Sequence, residues 1–162
     1  LYPYDARGNM LNLMLSDSFS HRGLIYSRMN QYERALADFN KAIELDSLNL
    51  ENYFNRALIY MQLHDYENAI QDLNVCQQSD PANADVMNDR GVCYLRSGNL
   101  ELALDDFNKA ILLNGAKASY YLNRAVVYHK LGQLMKARQD VQTAEQMGAV
   151  IDPSLKRILR LR

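Results

Sequence analysis

The sequence predicts an all-α chain built from repeated helical hairpins. Within residues 84–117, small and apolar residues recur three or four positions apart, which is the spacing of one helix face. A short polar break, Ser97-Gly98-Asn99, separates two such stretches and contains the residue that best tolerates a left-handed helix exit. Shifting the sequence by 34 residues aligns four such segments without an insertion, which is typical of a repeat architecture.

The four segments share columns of small and bulky residues. Each predicted first helix carries a small residue and then a tyrosine: Gly23, Ala57, Gly91 and Ala125, followed by Tyr26, Tyr60, Tyr94 and Tyr128. Each second helix carries an alanine, a bulkier residue and another small one: Ala35, Ala69, Ala103 and Ala137; Phe39, Leu73, Phe107 and Val141; Ala42, Cys76, Ala110 and Ala144. Small residues let two helices approach closely, and the bulky ones fill the gaps beside them.

The 34-residue period, the small columns, the tyrosine column and Pro81 at the end of the second segment resemble the tetratricopeptide repeat family over residues 16–151. This resemblance implies a right-handed α-α superhelix, or solenoid, of four helix-turn-helix hairpins whose first helices line a concave groove. The expected repeats are residues 16–49, 50–83, 84–117 and 118–151. Asn30 and His64 stand where a turn glycine is usual, and we expect them to loosen their turns.

The first fifteen residues allow two interpretations. Tyr4, Arg7, Gly8 and Leu11 have the spacing of a first helix. They either extend the helix that begins near Ser16 or form a separate helix left over from another repeat. We favour the separate helix.

Residues 152–162 predict a capping helix for the last hairpin. Asp152 is a capping carboxylate and Pro153 suits the first turn. One apolar stripe is expected to cover the end of the stack, formed by Leu155, Ile158 and Leu159. The alternative is a basic patch for an acidic partner or a membrane, formed by Lys156, Arg157, Arg160 and Arg162.

Composition excludes several classes of function. The net charge of −1 provides no general attraction to nucleic acid, and no apolar run approaches the roughly 18 residues of a membrane span. Only 3 prolines and 7 glycines occur, without a linker-like run, so one continuous body is expected. The sequence starts at Leu1 without a methionine, so we expect a fragment; the compartment stays open, with the cytoplasm favoured.

Cys76 and Cys93 lack the paired spacing and the histidine companions of a zinc site. Both occupy apolar helix positions, which predicts buried free thiols; a disulfide or a reactive thiol is the alternative. No metal and no cofactor is predicted. His21, His64 and His129 fall in different repeats, no nucleophile has an evident base, and no phosphate-binding glycine loop is present, so no catalytic residue is assigned.

Two polar columns recur in every repeat. An arginine of the first helix is followed sixteen residues later by an aspartate of the second: Arg22 and Asp38, Arg56 and Asp72, Arg90 and Asp106, Arg124 and Asp140. Because the turn lies midway, each pair reaches similar heights on opposing helices. We predict structural ion pairs and favour pairs within each repeat over pairs across the junction between repeats; an arginine ladder for anionic ligands is the functional alternative.

The faces of the first helices that point away from the predicted core are the candidate partner-binding groove. They carry an apolar middle, acidic starts and basic ends: Leu24 and Arg28; Phe54, Asn55, Leu58 and Met61; Asn88, Val92, Leu95 and Arg96; Leu122, Asn123, Val126 and Lys130. Exposed apolar neighbours usually mark an interaction surface. Contact with neighbouring helices is the other explanation.

Some tetratricopeptide proteins bind the carboxylate terminus of chaperone peptides with a two-carboxylate clamp. Here Leu24, Leu58, Val92 and Val126 fill the column where that clamp needs asparagine, and Asp85 and Asp89 replace its basic residues. We therefore predict a non-catalytic scaffold that binds an extended, partly apolar peptide or a helix of a partner protein. Self-association, or docking within a larger regulatory or secretion protein, is the alternative function.

Overall fold

The computed structural model describes residues 6–159, with side chains from residue 9 onward. Nine α-helices occur in this part of the chain: α1 (Ala6–Arg28), α2 (Tyr32–Leu45), α3 (Leu50–Gln62), α4 (Tyr66–Ser79), α5 (Ala84–Arg96), α6 (Leu100–Leu113), α7 (Ala118–Lys130), α8 (Leu134–Gln146) and α9 (Pro153–Ile158). Residues 6–159 contain no strand, and the predicted all-α class is confirmed.

The helices divide into two compact units between Gln78 and Ser79, near the end of α4. This differs from the single body that the composition predicts. Helical hairpins of this type pack mainly on their sequence neighbours, so apolar cores form locally rather than around one centre. The first unit contains α1 to α4, and the second contains α5 to α9.

In the first unit, α1 packs on α2 and α2 packs on α3. One core cluster contains Ala35, Phe39 and Ile59, which are at most 2% exposed. Gly23 of α1 lies against the Phe39 ring, since a β-carbon there would stand 3.1 Å from the ring. The small and bulky columns of the sequence therefore meet at this helix contact.

The second unit repeats this arrangement. The α5–α6 and α7–α8 hairpins form, and α6 packs on α7. Phe107 is fully buried with Ala103 and Val127, and Val141 is fully buried with Ala137 and Ala144. All of these residues except Val127 belong to the predicted bulky and small columns, so the helix faces predicted from the sequence are the faces that pack.

The start of the chain corrects our preferred interpretation. One helix, α1, runs unbroken from Ala6 to Arg28, so the separate helix that we favour is not formed and the extension is what the structure shows. Residues 9–16 contain neither proline nor glycine to end a helix. Tyr4 lies outside the described residues, and the side chains of Arg7 and Gly8 are not described.

The end of the chain follows the prediction with one exception. Asp152 caps α9 by accepting from the Ser154 N–H at 2.7 Å. Leu159 is fully buried with Val141 and Ala144, and Leu155 packs against them. Ile158 is 51% exposed and does not join this stripe, because only Leu155 and Leu159 face the α7–α8 core from so short a helix. Arg160 and Arg162 lie outside the described residues.

The turns keep one geometry despite their different residues. Gly98 and Gly132 have φ of 87° and 73°, and Asn30 and His64 adopt the same left-handed region at 56° and 61°. The closing hydrogen bond from Asp65 N to Tyr60 O is 2.8 Å, as is its equivalent from Asn99 N to Tyr94 O. We expected the turns at Asn30 and His64 to be looser, but their closing hydrogen bonds are formed. Both residues adopt the left-handed conformation, at some cost in backbone strain.

Candidate functional site

All four predicted arginine–aspartate pairs form within their own repeats. Each arginine donates from Nε and Nη2 to the two oxygens of its aspartate at 2.7–2.8 Å, the bidentate geometry that suits a guanidinium. The aspartates Asp38, Asp72, Asp106 and Asp140 are at most 5% exposed. Because each arginine is already engaged by a carboxylate, the columns are better explained as structure than as a ladder for ligands.

Aromatic rings complete the environment of these arginines. The guanidinium of Arg124 lies 5.7 Å from the ring centre of Tyr121 and 5.6 Å from that of Tyr128. Arg22 lies similarly near Phe19 and Tyr26. The hydrogen bonds that Arg56, Arg90 and Arg124 donate to Asp72, Asp106 and Asp140 raise the pKa of these arginines, so their side chains stay cationic.

A third polar column was missed by sequence reasoning. Arg56 also donates from Nη1 to Asn40 of α2 at 2.6 Å, and Arg124 donates to Asn108 of α6 at 2.7 Å. Each arginine therefore links its own second helix to the second helix of the preceding repeat. The signal was available, because Asn40 and Asn108 each stand sixteen residues before their arginine.

The predicted groove residues of the second unit come together on α5 and α7. A pocket of about 260 Å³ is lined by six of them: Val92, Leu95, Arg96, Asn123, Val126 and Lys130. We call it the α5/α7 pocket. The aliphatic residues and Asn123 are half-buried, whereas Arg96 and Lys130 are exposed. The pocket thus has an apolar wall and a cationic rim.

Some predicted groove residues of this unit contact neighbouring helices, and some line the exposed pocket. Val92 and Leu95 pack against the core cluster of Ala103 and Phe107, and Leu122 packs against that of Ala137 and Val141. Val126 belongs to neither cluster. Val92 and Leu95 therefore serve the core and the pocket together, whereas Leu122 does not line the pocket.

A relay of side chains connects the pocket with Asp89. Asn123 donates from Nδ2 to Asn88 Oδ1 at 2.9 Å, and Asn88 donates from Nδ2 to Asp89 Oδ1 at 3.1 Å. Asn88 is 9% exposed. Burial raises the pKa of Asp89 to about 6, so at neutral pH it is an ionised carboxylate that can only accept.

The neighbouring Asp85 is neutralised inside the unit. Its carboxylate accepts from Lys117 Nζ and from the Tyr120 hydroxyl, each at 2.6 Å. The hydrogen bond from Lys117 lowers the pKa of Asp85. By contrast, no carboxylate in residues 6–159 pairs with Arg96 or Lys130. The rim of the α5/α7 pocket is therefore left with uncompensated positive charge.

In the first unit, the predicted groove residues lie on α1 and α3. Leu24 packs on the core of Ala35 and Phe39. Half-buried positions on α3 hold Phe54, Asn55, Leu58 and Met61, while Arg28 is exposed at the end of α1.

Thiols and candidate metal ligands are the other groups of chemical interest among the described residues. Cys76 and Cys93 are buried free thiols, as predicted, and burial raises their pKa to about 11 and about 12. Between residues 6 and 159, no three His, Cys, Asp or Glu side chains converge as metal ligands would. None of the described helices has the length and hydrophobicity to cross a bilayer.

Comparison with known proteins agrees with this architecture. Family models described as Tetratricopeptide repeat match residues 16–47, 50–83, 84–115 and 107–139. No curated protein sequence matches the chain. Many solved structures do, and three illustrate the likeness.

The structure of MamA AMB-1 is 21% identical with a TM-score of 0.73, covering 82% of this chain and 78% of that one. The first TPR of Spaghetti (RPAP3), bound to the HSP90 peptide SRMEEVD, is 19% identical with a TM-score of 0.71, covering 74% and 95%. The Arabidopsis OM64 TPR domain is 22% identical with a TM-score of 0.70, covering 74% and 98%. At these identities the likeness shows the fold. Together with the family models, which span most of residues 16–139, it establishes that this chain belongs to the tetratricopeptide repeat family.

Proposed function

We propose that this chain is a non-catalytic scaffold that binds a peptide segment of a partner protein on the exposed faces of its first helices. The observation that carries the proposal is the α5/α7 pocket, where six predicted groove residues converge around about 260 Å³. That volume is near the lower bound of ligand sites, roughly 300 Å³, and suits one or two side chains. Membership of a family of protein-interaction modules supports the same function.

The make-up of the pocket favours a peptide over a small polar substrate. Val92, Leu95 and Val126 present aliphatic surface, while Asn123 leaves an amide oxygen for a backbone N–H. Alternating side-chain pockets and backbone hydrogen bonds are how extended peptides are usually recognised. The α1 and α3 face of the first unit, with Phe54, Leu58 and Met61, offers further apolar contact for a partner.

A random peptide display library panned against the immobilised chain tests this function. One enriched peptide is then titrated against isotopically labelled protein. We expect saturable binding, with the largest amide shift changes at Val92, Asn123 and Val126. A library without any enriched peptide, or shift changes confined to residues outside the first helices, would contradict the proposal.

Self-association is the second candidate function, and one observation favours it. The first part of α1 carries a dense group of exposed apolar side chains, 41–66% accessible: Met10, Leu11, Leu13, Met14 and Leu15. Exposed patches of this kind usually mark an interaction surface or an aggregation-prone one. Sedimentation equilibrium of the wild type and of Met14→Asp measures it. Self-association should appear as a mass that rises with concentration and is lowered by the substitution, whereas a monomer at all concentrations excludes this function.

A further inference from the structure

The charges around the α5/α7 pocket specify more than a site for an apolar segment. Arg96 ends α5 and Lys130 ends α7, and both line the same pocket. Neither has a carboxylate partner in the described chain, whereas Lys109 and Lys117 are both paired with aspartates. Two exposed cations beside one aliphatic wall form a site complementary to negative charge.

Asn123 is the third polar residue of the pocket, after Arg96 and Lys130, and its side-chain amide has a fixed orientation. Asp89 accepts from Asn88 Nδ2, which turns Asn88 Oδ1 toward Asn123. Asn123 must then donate its Nδ2 to Asn88, so its own Oδ1 is the atom left to accept from a ligand. The pocket therefore offers two charged donors, one neutral acceptor and an aliphatic surface.

We infer that the α5/α7 pocket recognises an extended peptide segment in which an aliphatic side chain lies next to an acidic one. The aliphatic side chain packs on Val92, Leu95 and Val126. The acidic side chain lies between Arg96 and Lys130, and a backbone N–H of the segment donates to Asn123 Oδ1. This inference rests on the proposed function and adds the chemical class of the partner to it.

The ionised form of Asp89 supports the orientation on which this depends, although burial raises its pKa. At about 6, it leaves the carboxylate mostly ionised at pH 7.4, where it holds Asn88 as a donor. Asp85 does not compete for the two cations, because Lys117 and Tyr120 already engage it. The acidic group of the ligand thus has no intramolecular rival among the described residues.

The test compares the peptides that different variants select from one random display library. The probes are wild type, Arg96→Glu/Lys130→Glu and the neutral Arg96→Gln/Lys130→Gln. A matched control, Lys109→Glu/Arg157→Glu, makes the same charge change at exposed positions outside the pocket. All four positions are exposed, so the variants should fold; circular dichroism melting curves check this.

Wild type and the control should enrich peptides with an acidic residue adjacent to Leu, Ile or Val. The glutamate variant should enrich basic residues at that position, and the glutamine variant should lose the acidic preference. For a selected peptide, charge reversal should weaken binding at least tenfold. C-terminal amidation should leave the affinity unchanged, which separates an acidic side chain from a terminal carboxylate.

Enriched peptides without an acidic preference, or an acidic preference that survives Arg96→Glu/Lys130→Glu, would overturn this inference while leaving peptide binding intact. A requirement for the free C-terminal carboxylate would also overturn it. If no variant enriches any peptide, the proposed function itself fails.

Discussion

Gly91 of α5 lies directly against the ring of Phe107 in α6, so closely that a β-carbon at Gly91 would stand 2.8 Å from Phe107 Cε1. A β-carbon at the equivalent Gly23 would stand 3.1 Å from Phe39 Cζ. In the other two repeats the corresponding positions hold an alanine and a residue smaller than phenylalanine: Ala57 with Leu73, and Ala125 with Val141. The size of one residue is therefore matched to that of the other.

This match predicts a non-additive pair of substitutions. Gly91→Ala should destabilise the chain by about 1–3 kcal/mol through overpacking. Phe107→Leu alone should cost about 1–2 kcal/mol by leaving a void. The double variant reproduces the Ala57–Leu73 pair and should cost clearly less than the sum. Urea unfolding of the four proteins measures this coupling, and additive costs would show that the two residues do not share one contact.

Removing the aspartate of an arginine–aspartate pair should lower the free energy of unfolding by different amounts in different repeats. Asp106→Ala leaves Arg90, whose side chain is 13% exposed, without its carboxylate, so we expect a loss of about 3 kcal/mol. Asp38→Ala is the matched comparison, because the side chain of Arg22 is 55% exposed and water can solvate it. There we expect a loss of about 1 kcal/mol or less. Equal losses in chemical unfolding would contradict the role of burial.

Asp89 predicts a pH-dependent stability. Its pKa is raised by burial to about 6 in the folded chain, against about 3.9 in an unfolded one. Protonation therefore favours folding: this contribution is full below about pH 4 and is lost as the pH rises through 6. Asp89→Asn keeps the oxygen that accepts from Asn88 and removes the charge. It should raise the free energy of unfolding by about 1–2 kcal/mol at pH 7 and leave it nearly unchanged at pH 4.

Unfolding curves at both pH values measure this difference. Asp105→Asn, which removes an exposed carboxylate paired with Lys109, serves as the control and should change stability by less than about 1 kcal/mol at either pH. If Asp89→Asn raises the free energy of unfolding equally at pH 4 and pH 7, the carboxylate of Asp89 is not destabilised by its burial.

The left-handed turn residue His64 predicts a stabilising substitution. At φ 61° its β-carbon is strained, so His64→Gly should stabilise the chain by up to about 1 kcal/mol, despite losing the contact with the Tyr66 hydroxyl. Asn30→Gly should gain less, because asparagine tolerates this conformation better. His64→Ala is the control and should bring no gain. A higher melting temperature for His64→Ala than for His64→Gly would contradict the claim that the backbone at His64 is strained.

Sequence periodicity was sufficient for much of this fold. The 34-residue spacing predicts the hairpins, and the sixteen-residue spacing predicts the pairs such as Arg90 and Asp106. These features recur because every hairpin solves the same packing problem. Periodicity could not decide whether the residues before Ser16 continue α1, because helix continuity depends on the absence of a breaker rather than on a repeated signal.

The candidate site was predictable only in part. Helical spacing, which gave the faces of the first helices that point away from the core, included all six residues of the α5/α7 pocket. It could not show that Val92 and Leu95 also pack on the core, or that Asn88 and Asn123 hydrogen-bond. The hydrogen bond depends on how α5 and α7, which belong to different repeats, approach each other, and no single repeat encodes that approach.

The affinity of one display-selected peptide for Val126→Asp tests the central claim most directly. Val126 is half-buried and lines the α5/α7 pocket, so the substitution places a carboxylate there; circular dichroism melting curves check that the variant folds. Leu112→Asp, at a residue 86% exposed outside the pocket, is the matched control. We expect fluorescence anisotropy to show at least tenfold weaker binding for Val126→Asp and unchanged binding for Leu112→Asp. Equal affinities of the two folded variants would contradict a binding site on α5 and α7.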